Sequence, residues 1–137
     1  MFERVEYLTN VTSDNMPTYY FFHKKSKTLL PIKVELLSTS MVKDAHPSQP
    51  NTLDTVKKII FAIGIKIENI KIYLYQDGYF YSHLSVISSS GEMEINCSIS
   101  DALFLALSSN SPILVEKNIL RDCGIKVTQK LIKESLG

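Results

Sequence analysis

The feature that most constrains the fold is a run that alternates between apolar and polar residues on both sides of an Asp-Gly pair. The run is "IKIYLYQDGYFYSHLSVI", which spans residues 70–87. A period of two residues is typical of a β-strand with one buried face, and Asp-Gly between two such strands favours a tight antiparallel turn. The sequence therefore predicts a central β-hairpin.

A three-residue loop over residues 76–78, with Gly78 in the left-handed conformation, gives this hairpin two distinct faces. It places Tyr75 opposite Tyr79. The apolar face then holds Ile70, Ile72, Leu74, Phe80, Leu84 and Val86, and the polar, aromatic face holds Lys71, Tyr73, Tyr75, Tyr79, Tyr81 and His83. A two-residue Asp77-Gly78 turn would mix the two sets, so we predict the longer loop.

The rest of the first half alternates β-rich segments with turns and then changes to a helical pattern. The β-rich segments are "VEYLTNV", "TYYFFH" and "TLLPIKVEL". They predict a three-stranded meander. We then predict a short helix over "LLSTSMVKDA" and a break in the chain at "HPSQPN". A second helix follows over "TLDTVKKIIFAIG", with Asn51 or Thr52 as its N-cap and Gly64 as its C-terminal stop.

The second half centres on "CSISDALFLALSSNSPILV", where two serines and an aspartate precede an apolar run. We expect Ser98 or Ser100 to cap a helix that is apolar on every side and therefore buried. Strands over "MEINCSI" and "SPILV", a short helix over "EKNILRDCG" ending at Gly124, and a helical tail within 125–137 complete the prediction. The fold class is α+β: a single domain over 1–137 with a mixed, mostly antiparallel sheet packed with helices.

Composition narrows the classes of protein. The 137 residues are 45% hydrophobic and 21% charged with a net charge of +1, which is typical of a soluble globular domain. No apolar segment is long enough to span a bilayer and the first ten residues do not resemble a secretory signal, so we expect a cytoplasmic protein with no membrane partner.

The cysteines Cys97 and Cys123 are expected to be reduced thiols, and the basic run "HKKSK" is interpreted as a solvated face. The five glycines are scattered, so no nucleotide cofactor is expected.

The aromatic face of the hairpin is the first candidate site. Tyrosine rings on a sheet beside cations can stack on bases and pair with phosphates, which makes RNA or DNA a candidate partner. The residues expected to bind nucleic acid are Lys71, Tyr73, Tyr79, Tyr81 and His83. The alternative is that tyrosines pack beneath a helix or in a dimer interface.

The second candidate site is acidic. Asp54 and Asp101 each lie at the start of a predicted helix, and together they could bind Mg²⁺ or Mn²⁺ as catalytic metal ligands. Such a cation assists phosphodiester hydrolysis because it offsets the charge on the phosphoryl oxygens. The alternative is that each carboxylate only caps its helix and opposes the helix dipole.

The order of these segments resembles the bifunctional nuclease domain family. The segments that carry the resemblance are "HPSQPNTLDTVKKII", "DGYFYSHL", "EINCSISDALFLAL" and "SPILVEKNIL". It is strongest over residues 29–124, and its most specific part is "SDALFLAL" followed by "SPILV". The residues on family motif positions are Pro47, Pro50, Thr52, Asp54, Ser100 and Asp101, with Asp77 and Gly78 of the hairpin. The resemblance implies an α+β domain that commonly forms a homodimer, and nuclease activity on RNA and DNA.

This chain also departs from the family pattern. It has Gln49 where the family typically has an arginine, and Leu53 where the family has a histidine. A guanidinium that could bind phosphate and an imidazole that could transfer protons are both missing. Two interpretations therefore remain: a divalent-cation-dependent nuclease, and a non-catalytic dimeric module that binds a partner or ligand.

Overall fold

The computed structural model describes residues 1–14, 16–34 and 52–128. Eight strands and three helices lie within these ranges. The strands are β1 (Phe2–Ser13), β2 (Met16–His23), β3 (Thr28–Lys33), β4 (Lys66–Gln76), β5 (Tyr79–Ser88), β6 (Gly91–Ser98), β7 (Ile113–Glu116) and β8 (Ile125–Lys126). The helices are α1 (Thr52–Ala62), α2 (Ile99–Ser108) and α3 (Lys117–Cys123).

All eight strands form one sheet in the order β6-β5-β4-β7-β1-β2-β3-β8. The predicted meander is confirmed, because β2 pairs antiparallel with both β1 and β3. β7 pairs in parallel with β4 and antiparallel with β1, so it joins the hairpin half of the sheet to the meander half. The mixed, mostly antiparallel α+β fold is therefore confirmed.

The buried core lies between the sheet and the helices. α2 packs on β4, β5 and β6, and α3 packs on β3, β4 and β7. The largest fully buried side chains are Phe21, Leu30, Ile32, Ile70, Ile72, Leu103, Val34 and Val115. None of the described helices is both long and apolar enough to cross a membrane.

The predicted three-residue loop at the tip of the hairpin is wrong. Gln76 pairs with Tyr79, so the turn contains only Asp77 and Gly78. Their φ angles are 54° and 84°, and a two-residue turn with both φ values positive matches the right-handed twist of the strands. The register near the tip therefore follows from the geometry of the turn. The preference for separating apolar from polar side chains does not determine it.

The two-residue turn mixes apolar and polar side chains on each face of the hairpin. A β-bulge limits this mixing to the residues near the tip. The register shifts between Ile72 and Leu74, while Lys71 still lies opposite His83, as the longer loop would also have placed it. Beyond the bulge, Tyr75 lies opposite Phe80 and their ring centroids are 4.7 Å apart. The separation of faces predicts Leu74 in the core, whereas its side chain is 40% exposed.

Helix α1 begins at Thr52 and ends before Gly64, as predicted. Gly64 has a φ of 80°, and the N–H of Ile65 donates to the carbonyl oxygen of Ile60 at 3.0 Å, which is the bond of a Schellman C-cap. No residue of α1 is buried. The helix thus contributes little to the core.

Some predictions lie outside the described residues. These are the short helix over 36–45, the loop containing Pro47, Gln49 and Pro50, the N-cap alternative Asn51, and the tail from 129 onward. Within 125–128, Ile125 and Lys126 form a short strand beside β3, which the sequence did not predict.

Candidate functional site

An open cavity of about 800 Å³ lies where β5 and β6 meet the start of α2. Its lining residues are Tyr73, Tyr79, Phe80, Tyr81, Ser82, Asn96, Cys97, Ser98, Ile99 and Ser100. The cavity brings together two features that are distant in the sequence, the tyrosine face of the hairpin and the Ser-Asp start of α2.

Aromatic rings form one wall of this cavity. Tyr79 is 59% exposed and Tyr81 is 42% exposed, which are high values for large rings. Tyr81 pairs with Ser98 across β5 and β6, so its strand position is fixed next to the residue that caps α2. Exposed rings held on a sheet provide faces on which planar ligands can stack.

The N-terminus of α2 forms the adjacent wall. Ser98 is the N-cap, and its side-chain oxygen accepts a hydrogen bond from the backbone N–H of Asp101 at 3.3 Å. Of the two predicted caps, Ser98 is therefore the one observed. Ser100 is only 4% exposed, and its hydroxyl oxygen lies 3.4 Å from that of Ser98. The partial positive charge at the N-terminus of the helix favours an anion in this part of the cavity.

The Asp101 carboxylate lies close enough to the cavity to act on one of its lining residues. Burial and, to a smaller extent, the negative charge of Asp101 together raise the pKa of the Cys97 thiol to about 11. Burial and the charge of Asp122 also raise the pKa of Cys123. Both cysteines are free thiols, and they are poor nucleophiles at neutral pH because little thiolate is present.

Lys71 and His83 are not among the residues that line the cavity. The Lys71 ammonium is 2.8 Å from the Glu94 carboxylate and 5.6 Å from the centroid of the Phe2 ring. Lys71 also lowers the pKa of Glu94. The His83 ring stacks on Tyr73 with centroids 4.1 Å apart and an interplanar angle of 10°. Of the predicted nucleic-acid residues, the structure brings Tyr73, Tyr79 and Tyr81 together, with His83 supporting Tyr73.

The pairing of Asp54 with Asp101 stays a prediction. Asp54 lies in the first turn of α1, and Lys57, one turn later, donates to the Ser108 carbonyl oxygen at the C-terminal end of α2 at 2.9 Å. Asp101 lies in the first turn of α2. Within residues 1–14, 16–34 and 52–128, no three His, Cys, Asp or Glu side chains are grouped as a metal site built from protein ligands alone would require. Mg²⁺ often binds through one or two carboxylates and completes its shell with water and substrate phosphates, and Asp101 fits that mode.

Two other residues on family motif positions, Thr52 and Gly78, lie at or beside the ends of secondary-structure elements. Thr52 begins α1, and Gly78 occupies the second position of the hairpin turn. Sequence reasoning missed the cavity residues Asn96 and Ser82. Asn96 lies opposite His83 on β6, and only the register between β5 and β6 could have identified it.

A second cavity, of about 870 Å³, lies at the C-terminal end of α1. Ile60, Phe61 and Ile65 contribute apolar side chains to it. On the helix itself, Val56 is 36% exposed, Ile59 is 55% exposed and Ile63 just beyond it is 66% exposed. Residues at this spacing share one helix face, so α1 presents an apolar stripe.

Comparison with known proteins gives two results. The model of the bifunctional nuclease domain matches residues 21–128. Two proteins of Mycobacterium tuberculosis, uncharacterized proteins MT1877 and Rv1829, are each 23% identical to this chain over 125 residues. The aligned region covers 88% of this chain and 74% of each relative.

Proposed function

The chain belongs to the bifunctional nuclease domain family, and from that premise we propose that it is a divalent-cation-dependent nuclease acting on single-stranded RNA or DNA at the cavity beside α2. The observation that carries this proposal is the convergence of exposed tyrosine rings with the N-terminus of α2 in one cavity. The free thiols fit the reducing compartment of the cytoplasm, which is the proposed location.

The two walls suit the two parts of a nucleotide. Bases stack on Tyr79 and Tyr81, because every base presents a π-face and both rings are exposed. A phosphate lies at the start of α2, where the helix dipole favours negative charge. A duplex hides the faces of its bases in the stack, so the aromatic wall favours single strands.

The acidic residues have a different role in this proposal. Asp101 binds Mg²⁺ or Mn²⁺ at the edge of the cavity, and Asp54 is the second proposed ligand. With a cation held by these carboxylates, charge on the phosphoryl oxygens would be offset and a water molecule would deprotonate more readily. Ser100 is not a nucleophile in this mechanism, because its side chain is buried in the first turn of α2.

Cleavage of labelled oligonucleotides tests the proposal. Purified protein is incubated with single-stranded and double-stranded RNA and DNA, with Mg²⁺, with Mn²⁺ and with EDTA. We expect cleavage of single strands that EDTA stops and added metal restores, and a large loss of activity in Asp101→Asn and Asp54→Asn. Absence of cleavage under every condition contradicts the enzyme proposal. Full activity in Asp54→Asn would remove only that residue from the metal site.

The apolar stripe on α1 supports a second candidate, a non-catalytic dimeric module in which the stripe of one copy packs on the stripe of another. A rotation of about 100° per residue places Asp54 and Lys58 on the side of α1 opposite Val56. Two stripes that meet in an antiparallel pair would therefore bury apolar side chains and leave these charges in solvent. Exposed apolar patches of this kind mark interaction surfaces.

Analytical ultracentrifugation tests the dimer. We expect the wild type to sediment as a dimer and Ile59→Glu as a monomer, because the substitution puts a charge in the centre of the stripe. Met93→Glu is the matched control, since Met93 is 63% exposed and lies on β6, outside the stripe. A wild-type protein that stays monomeric over the whole concentration range contradicts the dimer.

A further inference from the structure

A second group of polar side chains lies on the other half of the sheet, at the turn between β2 and β3. The His23 imidazole contacts two of them: its Nε2 is 3.4 Å from the Glu3 carboxylate, and its Nδ1 is 2.6 Å from the Ser26 hydroxyl oxygen. The Ser26 oxygen is also 2.7 Å from the hydroxyl oxygen of Thr28. β1, β2 and β3 carry this group, whereas the cavity described above lies on β5 and β6.

The hydrogen bonds define which nitrogen of His23 carries the proton. The backbone N–H of Ser26 donates to Nδ1 at 3.4 Å, so Nδ1 is an acceptor. In the neutral ring the proton then lies on Nε2, which faces the negatively charged Glu3. The Ser26 hydroxyl consequently donates to Nδ1. This is the arrangement of a serine nucleophile, its base and the carboxylate that holds the base in one tautomer.

His23 and Ser26 differ in how far they are buried. His23 is 7% exposed and cannot reorient without breaking both contacts. Ser26 is half-buried, and exposed lysines flank it at Lys24, Lys25 and Lys27. Lys24 pairs with Glu6 at 3.2 Å, and a cavity of about 210 Å³ opens beside His23 and this pair. Cations near the serine favour the negative charge that develops when a carbonyl group is attacked.

We propose that Ser26 is a reactive nucleophile that takes acyl groups from small carboxylic esters, with His23 as its base and Glu3 as a positioning residue. The Ser26 proton passes to Nδ1 of His23 as the serine oxygen bonds to the carbonyl carbon. The bond from that carbon to the leaving oxygen breaks, and the leaving oxygen takes the proton from His23. Water then attacks the acyl-serine with the same base, which releases the acid and restores the serine. This activity is independent of the proposed nuclease.

Labelling with a fluorophosphonate probe, followed by peptide mass spectrometry, tests the proposal on the intact chain. General-base assistance is worth about a hundredfold or more, so we expect Ser26 to react at least about tenfold faster than the exposed Ser90. Ser26→Ala removes this labelling and Ser90→Ala does not. We expect His23→Gln to lower the rate about a hundredfold. With p-nitrophenyl acetate, we expect an acetyl group on the Ser26 peptide.

Glu3 gives a second route if His23→Gln does not fold. We expect Glu3→Gln to slow labelling and Glu3→Asp to restore part of the rate, while both keep the melting temperature of the wild type within a few degrees. Labelling of Ser26 no faster than that of Ser90, or equally fast in urea-unfolded protein, overturns the proposal. A folded His23→Gln variant with the wild-type rate overturns it as well.

Discussion

The Ser98 side-chain oxygen accepts a hydrogen bond from the backbone N–H of Asp101 at 3.3 Å. This bond uses the main chain of Asp101 to satisfy the start of α2. The cap therefore does not require the Asp101 carboxylate, although a carboxylate in the first turn also stabilises the helix through its dipole. Stability and activity can accordingly be separated by changing the two residues one at a time.

Ser98→Ala removes the cap, and we expect it to lower the free energy of unfolding by about 1 kcal/mol. Ser98→Asp should keep most of the stability, because aspartate is also a good N-cap. Urea denaturation followed by circular dichroism measures both. Ser90→Ala, at an exposed turn position, should stay within about 0.5 kcal/mol of the wild type. If Ser98→Ala behaves like Ser90→Ala, the cap does not stabilise the protein.

Tyr81→Ala should weaken binding of single-stranded RNA about tenfold, because stacking of one base on an aromatic ring contributes about 1–3 kcal/mol. Tyr81→Phe keeps the ring and should keep the affinity. Fluorescence anisotropy measures the Kd, and repeating it over a range of salt concentrations should show weaker binding as salt rises. Phe61→Ala, which changes an 84% exposed ring on α1, is the control. Equal affinity of Tyr81→Ala and wild type argues against stacking.

Cys97 should react slowly with iodoacetamide. Burial and the charge of Asp101 raise the pKa of its thiol from an ordinary value of 9.0 to about 11. At pH 8 the thiolate fraction, and with it the alkylation rate, should be about a hundredfold below that of an unperturbed thiol. The rate should keep rising up to a pH near that pKa. Asp101→Asn lowers the pKa and should speed the reaction modestly, since burial is the larger cause. Alkylation as fast as that of a short cysteine peptide contradicts this environment.

Gly78→Ala should destabilise the hairpin by about 1–2 kcal/mol, because an alanine at positive φ is strained. Apart from its chain neighbours, no atom of the described residues lies within 4 Å of a Cβ built at this position, so the cost comes from the clash of Cβ with the local backbone at positive φ. Asp77→Asn is the control, since asparagine also tolerates the left-handed conformation. The comparison is made by thermal and urea unfolding. A Gly78→Ala variant as stable as the wild type contradicts the two-residue turn.

Local patterns in the sequence predict most of the helices and strands. The features that they do not predict depend on pairing between strands that are far apart in the chain. The caps of α1 and α2 depend on neighbouring residues, so "TLDTVKKIIFAIG" and "SISDALFLAL" placed both helices well. The bulge after Ile72 reconciles the turn geometry with the buried face, and no residue type signals it. The same limit applies to the parallel pairing of β7 with β4, which joins segments far apart in the chain.

The candidate sites also combine features that local sequence patterns predict with features that depend on pairing between distant strands. Tyrosines at alternating positions identified the aromatic wall, but only the pairing of β5 with β6 brings that wall to α2. The run "HKKSK" predicts a solvated face, whereas His23 is buried against Glu3 from another strand. A histidine at the end of a strand gives no local sign of such a partner.

The most direct test of the proposed nuclease compares binding and cleavage in the Asp101→Asn variant, on the same labelled single-stranded RNA with Mg²⁺. We expect the Kd to stay within about threefold of the wild type, because the tyrosine wall and the helix N-terminus are unchanged. The cleavage rate at saturating substrate should fall by about a hundredfold or more, since the variant loses a ligand of the catalytic cation. Cleavage by Asp101→Asn at the wild-type rate would contradict the central claim that this carboxylate holds the metal.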